Sequence, residues 1–575
     1  QMTFNLVSGT YVSAQGTGET IATNFSTGTH TLTMRDGTKI IFKESYVADG
    51  ESYYGAVDAL AETITRPDGH KTTLHYINTA YQGFGYDLYA VRLQSVTNSL
   101  GYQLRFDYAQ ASPPSSSTVD NWYRITKVTA INNAVDTCNP VQTAPCTFSE
   151  DWPKLEFAPS SDGNGDAIET VSDVLDRETV YRFDSSDRLT GIKRPEDVAA
   201  SNGYSVVYNY GTDDRVSSVV RQGAYTRDYT WGLLGSSLTS NSNDSLGRFR
   251  ATATDVGQQN VTYTNNANGE VTLFEYDASG RLEAVEAPEG NRVEYAYDSR
   301  GNLTQTTLID KAGNSANNVV TSSTYPASCT NPVTCNLPTS TTDANGNVTN
   351  YTWDSTYGVL TKIEVPAPGP GDPRPRTDIG YANYRAKYYN ASGTLIDGDQ
   401  IRLPYAATTC RDANICTDDA DELEALFFYT STGAHNLNRS RVTTRPGNLS
   451  ASLTTLFTYN ELSLVKTIDG PVGGTGDTTN YRYDAAGQVI GVIAPDPDGT
   501  GSLKQAATRR TYNEDGQVTL SESGYVAGTS DTDWAGFTVD TVVETTYDDF
   551  GRPATSSQIS TDGTTRFGLI ALRFA

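Results

Sequence analysis

Short segments of the chain alternate between apolar or β-branched residues and polar ones with a period of two. Thr272, Phe274 and Tyr276 fall on one face of an extended segment, as do Thr179, Tyr181 and Phe183; Thr349, Tyr351 and Trp353; and Thr479, Tyr481 and Tyr483. Tyr102, Leu104, Phe106 and Tyr108 do the same, with Gln103, Arg105 and Asp107 between them. Aromatic and β-branched residues at this spacing predict strands with one buried face. Each segment then runs into Asp and Gly, which favour a turn because the carboxylate accepts backbone amides and Gly takes positive φ without strain. A second turn signal precedes many of the strands: Pro67-Asp68-Gly69, Asn268-Gly269, Pro288-Glu289-Gly290 or Asn345-Gly346. Asn-Gly and Asp-Gly predict type I′ hairpins, in which both central residues have positive φ. One unit is therefore strand, turn, strand, turn over roughly 20 residues.

The first of these turns is written again and again. Tyr276-Asp277 leads to Gly280-Arg281-Leu282, Tyr297-Asp298 to Gly301-Asn302-Leu303, Tyr483-Asp484 to Gly487-Gln488-Val489, and Tyr547-Asp548 to Gly551-Arg552-Pro553. Looser copies are Phe183-Asp184 before Asp187-Arg188-Leu189, Trp353-Asp354 before Gly358-Val359-Leu360, and Tyr512-Asn513 before Gly516-Gln517-Val518. Self-similarity at this period marks an array of small units, each stable only against its neighbours. In every copy the Tyr and Leu are expected to pack, the Asp and Gly to build the turn, and the Arg to bond a neighbouring Asp or carbonyl. These are structural roles, not catalytic ones.

The Tyr-Asp-x-x-Gly-Arg-Leu pattern resembles the YD repeat of bacterial RHS proteins, shared with the C component of insecticidal toxin complexes and with animal teneurins. The resemblance is close over residues 170–360 and looser over 30–110 and from 440 to the end. It implies an all-β fold of antiparallel hairpins coiling side by side into a curved or spiralling, partly hollow shell. In such relatives the shell often encloses a toxic C-terminal passenger. The segment at which relatives cut themselves carries Asp-Pro-x-Gly followed by Leu and further Gly. Only Asp496-Pro497-Asp498-Gly499 is similar here, Thr500 follows it, and repeats continue beyond.

Five stretches follow along what reads as one continuous array. Residues 1–110 are looser YD-type hairpins, and 111–169 a loop-rich insertion with the first cysteine pair. Residues 170–365 hold the dense repeats, 366–445 a Pro/Gly-rich, irregular excursion with the third cysteine pair, and 446–575 further repeats. The acidic run Asp418 to Glu422 opens a candidate short helix over 418–427. No basic start or apolar core of a leader is visible, and strand-like sequence at both ends predicts a segment of a longer polypeptide.

Composition narrows the partners. The chain has 575 residues and a formal charge of −26. That charge argues against nucleic acid, since phosphate binding needs Lys and Arg patches. No run approaches the roughly 18 apolar residues of a membrane span. The six cysteines form three close pairs, Cys138 with Cys146, Cys329 with Cys335 and Cys410 with Cys416. Even, close pairs predict short disulfides and an oxidising, extracellular or cell-surface setting. Zinc is the rival, opposed by the lack of two-residue spacing and of any nearby His.

Candidate chemistry is sparse. The four histidines are His30, His70, His75 and His435, and no nucleophile elbow, zinc helix or phosphate loop is present. The best metal candidate is a calcium site at Asp162, Asn164 and Asp166, whose alternate oxygen ligands resemble the start of an EF-hand loop. Ala167 stands where Gly is wanted and Asp173 where Glu is expected, so a polar turn is the competing reading. No other cofactor is indicated. Two functions remain: a non-catalytic shell scaffold around a toxin passenger, and a fibre or adhesin segment that binds copies of itself or cell-surface glycans.

Overall fold

A computed structural model describes residues 4–571 apart from 8–9, 14–18, 45–58, 84–85, 222–224, 258, 412–415, 417–420, 475, 500, 549–550 and 562. It is almost entirely antiparallel β. Among the described residues one sheet gathers 41 strands, and each pairs with its neighbours along the ribbon. The hairpin Lys387–Tyr389 with Leu395–Asp397 stands apart from it. The sheet is an open ribbon: among the described residues, its last strand, Arg566–Ala571, pairs only with strand Pro553–Ile559.

The ribbon winds back over itself. Arg35 reaches Asn302 across 267 residues, Arg177 reaches Gln488 across 311, Asn132 reaches Glu461 across 329, and Tyr102 reaches Ser463 across 361. These bonds join turns and strand ends, so the edge of a first winding abuts the edge of a second. The wall stays thin. The accessible surface is 31472 Å² for a chain of 62.1 kDa, against about 20,000 Å² expected of a compact monomer of that mass.

Neither face of the repeat strands is fully buried, which departs from the one-buried-face expectation. Strand Val271–Tyr276 is half-buried on its Phe274 and Tyr276 side and exposed at Leu273 and Glu275. At strand Tyr102–Tyr108 the expectation inverts. Gln103, Arg105 and Asp107 are buried, whereas Leu104 is 44% exposed. The cause is the cysteine loop that lies over the polar face. Ser95 Oγ donates to Pro140 O and Arg105 Nη2 to Ala144 O, while Arg105 Nε pairs with Asp107 at 3.1 Å. Nearby, Arg92 stacks on the rings of Tyr108 and Trp122, and burial draws its pKa down to about 10.

Two stretches expected to be irregular contribute long strands. Residues 111–169 supply Ile125–Asn132 and Lys154–Ser161, with the short helix Val119–Tyr123. Residues 366–445 supply Arg376–Tyr384, Ile401–Cys410, Glu422–Tyr429 and Arg439–Pro446. Pro404 is accommodated there because the register slips beside it, between Gly380 and Tyr381. The helix expected over 418–427 is not formed: residues 418–420 lie outside the described residues, and 422–427 are strand. The sequence Glu-Leu-Glu-Ala-Leu-Phe-Phe-Tyr suits a strand as well as a helix, and pairing with both neighbours decides it.

Three small buried clusters stand out among the described residues, and each sits under an insertion or at the line where windings meet. Ile131, Cys138 and Trp152 receive Leu462 from the second winding, and Ala386, Ile401 and Leu437 receive Leu100 from the first. Ile493, Ala507 and Val526 are covered by Trp534 and Phe537.

Candidate functional site: the repeat turns and the seam between windings

The repeat turns share one construction. Asp277 Oδ1 accepts the amides of Ser279 and Arg281 at 2.8 and 3.0 Å, and Gly280 takes φ 77° to close the loop. Arg281 Nε donates to Asp277 Oδ2 at 2.6 Å. Asp298 serves Arg300 and Asn302, Asp484 serves Gln488, and Asp548 serves Arg552 in the same way. Gly301, Gly487 and Gly551 have φ of 79°, 80° and 74°. In looser copies Asp176 and Asp187 hold that left-handed position at 58° and 57°, which Asp tolerates better than most residues.

The turns that precede the Tyr strands use this design too. Asn266 Oδ1 accepts the amides of Asn268 and Glu270, and Asp343 Oδ1 those of Asn345 and Asn347. Only Gly269 and Gly346 are left-handed there, so the expected type I′ geometry is replaced by a longer loop closed by the side chain. Asp162 Oδ1 likewise accepts from Asn164 N and Asp166 N, and Asp166 faces Arg182 at 3.7 Å. The calcium candidate is thus built as a turn between two strands. Asp496-Pro497-Asp498-Gly499 lies in the loop after strand Val489–Ile493, with Asp498 Oδ2 accepting from Leu503 N.

The tyrosines do more than pack. Tyr297 Oη donates to Leu282 O, Tyr483 to Val465 O, Tyr512 to Val489 O and Tyr547 to Val518 O, at 2.7–2.8 Å. Tyr276 reaches Val261 O at 2.9 Å. Each hydroxyl therefore caps the carbonyl that opens the preceding return strand. Trp353 Nε1 makes an equivalent bond to Pro338 O, so indole N–H replaces the phenol in that copy. Beside each Tyr the register skips one residue, as between Ala296 and Tyr297 or Thr511 and Tyr512. The skipped Thr304 and Thr519 turn their hydroxyls onto the opposite carbonyls of Ala296 and Thr511. Sequence reasoning missed this Thr, although Leu-Thr or Val-Thr after the turn recurs at 189, 303, 360 and 518.

The residue after the turn Gly links neighbouring repeats along the rim. Arg281 Nη1 donates to Asp298 O, Gln488 Nε2 to Gly516 O and Gln517 Nε2 to Gly551 O. Arg and Gln both serve at this position because each can reach the next carbonyl. Replacing Tyr297 by Phe is expected to remove one hydroxyl and leave the Leu282 carbonyl without it, at a cost of about 1 kcal/mol. Hydrogen exchange should then quicken over 282–297 and not in distant repeats, because an array transmits little beyond its neighbours.

The same turns form the seam. Turn 298–302 lies against Arg35, Glu461 and Ser463 against Asn132 and Tyr102, Gln488 against Arg177, and Asp515 against Arg194 and Glu196 N. Asn436 bridges Leu100 O and Asn132 Oδ1 at 2.8 Å each. Asn302, only 1% exposed, is held by Asp298, Asn336 and Arg35. Tyr276, Tyr297, Tyr483 and Tyr547 thus lie in one ribbon, but their turns differ in duty. Turns 298–302 and 484–488 meet the first winding, whereas the side-chain bonds of Asp277 and Arg281 stay within their own winding and its next repeat.

The cysteines are joined as Cys138–Cys146, Cys329–Cys335 and Cys410–Cys416. The one group of three close metal-type ligands among the described residues is Cys410, Cys416 and Glu422, and its two sulfurs are bonded to each other. The histidines are dispersed: His30 pairs with Glu44, His70 with Asp68, His75 bonds Thr97, and His435 lies buried where it bridges Lys387 of the small hairpin. No helix among the described residues is long and apolar enough to cross a membrane.

Residues 276–315 match the family model described as RHS Repeat. No curated protein matches the chain. Among solved structures it is similar to a Photorhabdus luminescens Tc holotoxin pore, at 10% identity and TM-score 0.22 over 93% of this chain and 35% of that one. It is also similar to a TcdB2–TccC3 crystal structure, at 11% identity and TM-score 0.23 over 96% and 36%. The chain spans about a third of the length of those solved chains.

Proposed function

We propose that this RHS-repeat protein is a non-catalytic scaffold, secreted or displayed at the bacterial surface, whose wound ribbon forms part of a wall around a C-terminal toxin passenger. The observation that carries the reading is the seam. Bonds that span 267 to 361 residues convert a flat ribbon into a wall that curves around space. The excess of accessible surface over that of a compact chain supports a wall wetted on both sides. The repeat side chains are taken up by turns, rims and carbonyl caps, which leaves them to architecture. Three disulfides fit an oxidising destination.

A second reading, a self-associating fibre, draws on strand Arg566–Ala571, where Phe567, Leu569 and Ile570 are all more than half exposed. Small-angle scattering across a concentration series separates the two. A wall segment gives a concentration-independent profile of one curved, thin-walled particle. Growth of the longest dimension with concentration rejects the shell in favour of the fibre.

A further inference from the structure

The loop 325–339 joins strand Val319–Thr324 to strand Ser340–Thr342 and is wedged into the seam. Asn336 Nδ2 donates to Arg35 O at 3.1 Å, and Asn336 Oδ1 accepts from Asn302 Nδ2 at 3.1 Å. Val333 rests on the first winding so closely that a Cβ at Gly37 would lie 2.9 Å from its Cα. On its own winding, Asn331 Nδ2 donates to Ser355 O, and Arg300 Nη2 to Pro326 O, both at 2.6 Å. The loop has no strand or helix to shape it across this span, and a disulfide closes it between Cys329 and Cys335. At turn 173–177, by contrast, the seam bond runs from one side chain to another, Arg177 to Gln488.

We propose that the Cys329–Cys335 disulfide is a reducible clasp on the seam. Closed, it holds Asn331, Val333 and Asn336 in the shape that bridges the two windings. Opened, it frees the loop and loosens the junction at residues 34–38. Cys329 is exposed and Cys335 buried, which directs attack to the outer sulfur. A dithiol reductant supplies the thiolate. Its first sulfur bonds Cys329 Sγ while the disulfide breaks and Cys335 leaves as a thiolate that takes a proton. Its second sulfur then closes a cyclic disulfide on the first and releases Cys329 as the second thiol. The dithiol is oxidised by two electrons and the protein is reduced by two. A shell carried from an oxidising to a thiol-rich compartment would meet that reductant on arrival.

The test is amide hydrogen exchange on the full chain, with and without dithiothreitol, alongside a Cys329→Ser/Cys335→Ser variant and an Arg35→Ala variant. The serine pair isolates this bridge from the other two. The clasp predicts roughly tenfold or faster exchange at 34–38 and 299–304 in the reduced protein and in the serine variant. Turn 277–281 should stay unchanged in both. If 34–38 keeps its protection in the reduced and serine proteins while Arg35→Ala loses it, the clasp is overturned and the winding stands. If none of the three changes moves it, the seam itself is overturned as well.

Discussion

Acidification below about pH 4 is expected to unravel the ribbon, monitored as loss of the β signal in far-ultraviolet circular dichroism. The turn aspartates set the window. A side-chain bond from Arg188 holds Asp184 below its ordinary pKa, and one from Asn347 does so for Asp343. At Asp277 burial favours the neutral acid, but the amide and guanidinium of Arg281 outweigh it and the pKa falls. At Asp298 burial is likewise outweighed, there by Asn302 and Arg300. A carboxylate whose folded pKa is lowered contributes stability that is complete above its unfolded value, roughly 3.9, and is lost as pH falls through the folded one. Many turns titrate in that window, so modest individual effects accumulate. Asp277→Asn sharpens the test. Asn keeps the oxygen that accepts amides, as Asn460 and Asn513 do, but cannot be neutralised. The variant should exchange faster than the parent at 277–281 at pH 7, having lost the charged bond to Arg281, and slower once the pH has fallen through the lowered pKa of the parent carboxylate. Parallel curves with no crossing would refute the turn aspartate as the acid-sensitive group.

The second large effect is expected at Gly491. A Cβ there would collide with Trp534 Cη2 and lie 2.6 Å from Cζ2. Trp534 sits in the short helix Asp531–Ala535, meets Phe537 edge-on at 5.6 Å and covers the cluster of Ile493, Ala507 and Val526. Gly491→Val should expel the indole and cost about 2–3 kcal/mol locally, as overpacking and loss of an aromatic contact combine. Proteolytic sensitivity of 527–537 reads the expulsion. The pair should be strongly non-additive: once Trp534→Ala has removed the ring, adding Gly491→Val should cost little more. Additive losses would mean the two residues do not share the space described. Gly191 is built the same way beneath Tyr204, in another repeat that carries an insertion.

Much of this fold can be read from residue order. Alternation up to Tyr276 and the Asp-x-x-Gly spacing place strands and turns, because both are decided within a few residues. Less local features are hidden. Gln103, Arg105 and Asp107 look solvent-facing until a loop lies over them, and its contact with Arg105 comes from 39 residues further on. The strand at Glu422–Tyr429 has a composition open to either helix or strand, and only its two neighbours decide it. The seam is least legible, since Asn302 and Asn436 look like ordinary turn residues and their partners lie hundreds of positions away at unequal intervals. The hydroxyl caps were readable in principle: a Tyr ending strand after strand, rather than Phe, implies a polar task at that site.

The distance in sequence between partners at the seam also sets an order of events during synthesis. A ribosome adds roughly 5–20 residues each second, so roughly 300 residues take about 15–60 s. For that long, Arg35, Asn132 and Arg177 have no second edge to meet, and the nascent first coil must survive as a free ribbon. Its rim is written in Asp, Asn, Arg and Gln, which water can serve until Asn302, Glu461 and Gln488 emerge. Closure of the wall is thereby timed by translation rather than by diffusion of distant parts through a collapsed chain.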